Sequence, residues 1–90
     1  MILDNAEMNQ IVDVTSSARK LTMGETTILY VLASVHPEHV SSKAVAQRAM
    51  STQGSVRVLK WQANKKLAGT GLRIASKEHH GYWLEYDPAP

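Results

Sequence analysis

Ninety residues make one domain, near the smaller sizes that fold unaided, and 43% hydrophobic against 20% charged residues allows a core and excludes global disorder. There is no cysteine, which excludes disulfide staples and thiolate metal sites and fits a reducing compartment. No apolar run approaches the ~20 residues of a membrane span, and Asp4, Asn5 and Glu7 are unlike a signal peptide, so the expectation is a cytoplasmic protein with no membrane partner.

In chain order, residues 1–21 predict a small antiparallel sheet, with strands at 1–4, 10–15 and 18–21 and turns between them. Ile11, Val12 and Val14 do not alternate strictly, which leaves the register of that sheet open. Thr22 and Glu25 have capping-box spacing and open a helix over 23–35, with Ile28, Leu29, Leu32 and Val35 on one face and Pro37 at its end. Ser41 or Ser42 caps a second helix to about Met50, and residues 51–54 make a tight connection. Ser55 caps a third helix, and Gly69 suits the left-handed position past its end. Residues 72–76 and 82–86 read as a β-hairpin around 77–81, and the tail 87–90 is expected to be unstructured.

The predicted fold class is α+β, a winged helix-turn-helix in a single domain over 1–90. Its parts are N-terminal strands (1–21), a three-helix core (22–69), a wing hairpin (70–86) and a tail.

The net charge of +2 hides a strong asymmetry. No acidic residue lies between Glu38 and Glu78, and that interval holds Lys43, Arg48, Arg57, Lys60, Lys65, Lys66, Arg73 and Lys77, eight of the ten basic residues. A one-sign block of this length points to a polyanion-facing surface.

The pattern Leu21-Thr22, Glu25, Ile28-Leu29, Leu32, Val40-Ser41, Val56, Val58, Lys66-Leu67, Ile74, Ser76 and Gly81-Tyr82-x-Leu84 resembles the OmpR/PhoB-type winged-helix output domain. The resemblance spans nearly the whole chain and implies prokaryotic transcription regulation by DNA binding. Its third helix would enter the major groove and its wing would lie on the backbone or minor groove. Where that family's wing usually carries Arg and Gly, this chain has Glu78 and His79, and Glu78 would repel phosphate. No receiver domain is present in the sequence, so control by phosphorylation is not implied.

On a helical wheel Val56, Leu59, Ala63 and Leu67 form the core side of the third helix, opposite Arg57, Val58, Trp61 and Lys65, with Asn64, Gln62 and Ala68 flanking. Arg57 can bond guanine, Asn64 adenine, and Val58 suits a thymine methyl, while Lys60, Lys65 and Lys66 suit phosphates. In the wing, Lys77 and, when protonated, His79 and His80 would reach a phosphate, tightening binding at mildly acid pH.

The expected partner is double-stranded DNA, bound by a dimer or in tandem because one such module covers limited surface. A protein-binding adaptor or anti-activator that grips another transcription regulator through Val58 and Trp61 is the alternative. Tyr82 is expected to pack in the core and Trp83 to lie on the other face of the hairpin. His36, His39, His79 and His80 lack a four-ligand zinc pattern, and no nucleophile context or phosphate loop is visible, so neither cofactor, metal nor catalysis is expected.

Overall fold

The computed structural model describes residues 3–88, and the ends of the chain (the outer part of the expected first strand and of the tail) lie outside them. It is an α+β domain of four helices and one two-stranded antiparallel sheet.

The first element corrects the expected N-terminal strands. Residues 5–18 form a helix, α1 (Asn5–Ala18), capped by Asp4, whose side chain accepts the Glu7 amide at 2.8 Å while Glu7 Oε1 accepts the Asp4 amide at 3.2 Å. Met8 and Val12, one turn apart, are fully buried, and Ile11 joins them at the edge of the core. Lys20 takes a left-handed conformation (φ 54°) and the Leu21 amide returns to the Ser16 carbonyl, which closes α1 and turns the chain into the next helix.

Thr22 and Glu25 make the expected capping box for α2 (Met23–Ala33), which packs on α1 and buries Ile28, Leu29 and Leu32. It ends before Val35, with Ser34 as cap and two tightened turns carrying the chain to Pro37. Ser41 caps α3 (Ser42–Arg48). Met50 (φ 53°) and a bond from the Ser51 amide to the Ala46 carbonyl form the turn to α4 (Gln53–Leu67). The cap of α4 is Thr52, not Ser55: its hydroxyl accepts the Ser55 amide at 3.1 Å, so Gly54 lies inside the first turn rather than in the connection.

The hairpin has the expected position, with β1 (Leu72–Lys77) paired to β2 (Gly81–Tyr86) in the register Leu72↔Tyr86 to Lys77↔Gly81. Leu72, Ile74, Tyr82 and Leu84 point into the core shared with the helices. Val40 exchanges both main-chain bonds with Tyr82 (2.8 and 2.7 Å), tying the segment before α3 to β2. Gly81 (φ 82°) is required there, because a Cβ would run into the Val40 carbonyl.

Candidate nucleic-acid interface

Helix α4 presents three different sides. Val56, Ala63 and Leu67 are buried, with Leu59 half-buried beside them. Lys60 and Asn64, one turn apart, face the hairpin: Lys60 Nζ donates to Ser76 Oγ at 2.9 Å, and Asn64 bonds Ile74. The remaining surface carries Arg57, Val58, Trp61, Gln62 and Lys65, all exposed. Trp61 retains 60% of its surface in solvent and Val58 52%, and the Lys65 ammonium sits 4.4 Å from the centre of the indole.

Two expected DNA contacts have other work. Asn64, assigned by its wheel position to adenine, uses its amide on the main chain of β1. Its Nδ2 donates to the Ile74 carbonyl and its Oδ1 accepts the Ile74 amide, both at 2.9 Å. Lys66, assigned to phosphate, bonds Glu25 at 2.8 Å. Glu25 is only 1% exposed; burial pushes its carboxyl up, but the Lys66 ammonium and the Thr22 amide and hydroxyl outweigh this and hold it below the ordinary range. Arg73 is likewise taken, by Glu85 on the facing strand, whose carboxyl is held below its ordinary range by the Trp83 indole N–H and then by Arg73. Of the eight basic residues between Glu38 and Glu78, this leaves Lys43, Arg48, Arg57, Lys60, Lys65 and Lys77 with no carboxylate in ion-pair range among the described residues.

Five of the proposed contact residues converge. Arg57 and Lys60 from α4, and Lys77, His79 and His80 from the hairpin, line one open cleft of about 700 Å³. Ser41 and Ser42 at the start of α3 and Ser76 on β1 add hydroxyls to the lining. Three permanent cations therefore face the cleft with one carboxylate, Glu78, which lies 3.6 Å from His79 Nε2 at the hairpin tip. His79 holds a left-handed conformation (φ 66°) in the three-residue turn, which exposes both of these side chains. Val58, Trp61 and Lys65 lie outside the cleft on the outer side of α4.

On the far face of the hairpin, His39 stacks on Trp83 with ring centres 4.0 Å apart, and His80 meets His39 edge-on at 6.5 Å. Tyr82 is buried, as expected. Among the described residues no group of three or more His, Asp or Glu side chains could hold a metal ion, and no helix is long and apolar enough to cross a membrane. The chain matches no known protein family, no curated protein and no solved structure.

Proposed function

We propose that this chain is a winged helix-turn-helix domain that binds double-stranded DNA sequence-specifically in transcription regulation, inside the cytoplasm. In this reading α4 enters the major groove and the β1–β2 hairpin is the wing on the backbone or minor groove. The order α2, Val40 bridge, α3, α4, β1, β2 supports it, since this is the helix–strand–helix–helix–hairpin sequence of that fold. The likeness to the OmpR/PhoB-type output domain is carried by residues 21–84, where Ile28, Leu29, Leu32, Val40, Val56, Ile74, Tyr82 and Leu84 are all core; α1 stands where that family's N-terminal sheet would be.

The observation that carries the reading is the convergence of Arg57, Lys60 and Lys77 on the cleft between α4 and the hairpin. A cleft lined by cations and hydroxyls suits a phosphate backbone, with α4 alongside to meet base edges. The test is selection of bound duplexes from a random pool, followed by affinity measurements over a salt series. Contact with about three to five phosphates gives a log–log salt slope of roughly −3 to −5. No retardation of any duplex at low salt overturns the proposal.

The exposed pair Val58 and Trp61 supports the second reading, an adaptor that grips another regulator. Such an interface would hardly respond to salt, so the same series separates the two.

A further inference from the structure

We infer that Val58 and Trp61 form a methyl-reading ridge that makes the bound DNA site depend on 5-methyl groups of pyrimidines, those of thymine or of 5-methylcytosine. This rests on the DNA reading above and names the chemistry recognised by the outer side of α4.

The hydrogen-bonding potential of that side is smaller than its sequence suggests. Asn64 is spent on Ile74 and Lys66 on Glu25, so beyond Gln53 and Ser55 in the first turn the outward groups able to bond a base edge are Arg57, Gln62 and Lys65. Between them stands an apolar surface that the fold leaves open, with Val58 at 52% and Trp61 at 60% exposure. The major-groove edge carries one apolar feature, the C5 methyl of thymine, and cytosine gains the same feature when methylated.

Geometry fits this partner. Val58 and Trp61 are three residues apart on one helix, an axial separation of about 4.5 Å, so the ridge spans between one and two base steps of ~3.4 Å. The Lys65 ammonium over the indole limits the freedom of that large side chain and brings a cation to the same place.

Charge selects DNA over an apolar protein patch. Arg57 and Lys65 flank the ridge, Lys60 lies on the neighbouring side, and α4 carries no carboxylate at all. A ridge of two side chains is also far short of the ~800 Å² that each partner contributes to a stable protein interface, whereas it matches one or two methyl groups.

The probe is the tightest duplex recovered from the random pool, compared with copies in which single thymines are replaced by deoxyuridine, which removes the methyl and keeps every hydrogen-bonding group. One lost methyl contact is expected to weaken binding about fourfold. Cytosine and 5-methylcytosine at the sensitive positions should differ by a similar factor. In the double variant Val58→Ala/Trp61→Ala these factors should fall towards one, while its salt slope stays that of the wild type. Both side chains are exposed, so the variant is expected to fold, and circular dichroism checks this.

Equal affinity of the wild type for thymine and deoxyuridine duplexes overturns the inference and leaves the DNA reading standing. So does an undiminished methyl effect in the double variant, which would place methyl sensitivity elsewhere. If no duplex binds at low salt, both fall together.

Discussion

Asn64 on α4 holds Ile74 on β1 through both halves of its amide, as donor to the carbonyl and as acceptor from the amide, each at 2.9 Å. This pair ties α4 to the hairpin. Replacing Asn64 by Leu leaves two part-buried main-chain groups of Ile74 unpaired, at an expected cost of about 1–3 kcal/mol. Urea unfolding measures it. DNA affinity should fall with the loosened hairpin while the preferred sequence, read out by selection, stays the same. A changed preference at one base with undiminished stability would mean that Asn64 reads DNA after all.

Lys66 is engaged within the fold, where it pairs with the buried Glu25. Lys66→Met leaves the Glu25 carboxylate buried without its cation and should destabilise the fold by roughly 1–3 kcal/mol at neutral pH, with no change in the salt slope of binding. A slope reduced by about one unit would instead make Lys66 a phosphate contact.

The same pair predicts a pH dependence. The folded-state pKa of Glu25 is lowered, so its contribution is fully present above the ordinary carboxylate range and is lost as pH falls through the depressed folded value. Urea midpoints of the wild type should therefore decline on the acid side from about pH 5 downward. Glu25→Gln should lower stability at neutral pH and flatten this part of the profile. An unchanged acid slope in Glu25→Gln would assign the dependence to other carboxylates.

At the cleft, Lys60→Ala and Lys77→Ala should each weaken binding to all sequences and reduce the salt slope by about one, whereas Arg57→Ala should relax sequence preference. Glu78 is the one carboxylate there, and it is exposed at the hairpin tip. Glu78→Gln should therefore tighten binding about two- to fivefold at low salt and have little effect at high salt. Unchanged affinity at low salt would place the hairpin tip away from the phosphates.

For α1, Asp4→Ala removes one side of the capping box and should cost about 0.5–2 kcal/mol, seen as a lower urea midpoint. A midpoint equal to wild type would show that α1 adds little to the fold despite burying Met8 and Val12.

The core helices and the hairpin were readable because their signals are local. Thr22-x-x-Glu25 opens α2, and the alternation around Tyr82 and Leu84 sets the face of β2. Helix α1 carries the same opening signal as α2, Asp4-x-x-Glu7, followed by Met8, Ile11, Val12 and Thr15 at helical spacing. The β-branched run at 11–15 pointed to a strand, and packing of Met8 and Val12 against α2 overrode that propensity. Helix α4 starts earlier than its sequence suggests, because Gly54 reads as a turn residue while Thr52 provides the cap. At the site, periodicity placed Arg57, Trp61 and Lys65 on the exposed side correctly. It could not show that Asn64 and Lys66 are engaged, because their partners lie on β1 and α2 and meet them only in the folded chain.

Two-stranded ribbons ordinarily offer raw edges to other chains. Here Val40 covers β2 at Tyr82, Asn64 covers β1 at Ile74, and the Thr70 hydroxyl takes the Leu72 amide. A second copy therefore finds these stretches of main chain already occupied and gains little by adding a strand there. Copies of the domain can therefore crowd together with little tendency for these covered stretches of the hairpin to seed a growing sheet.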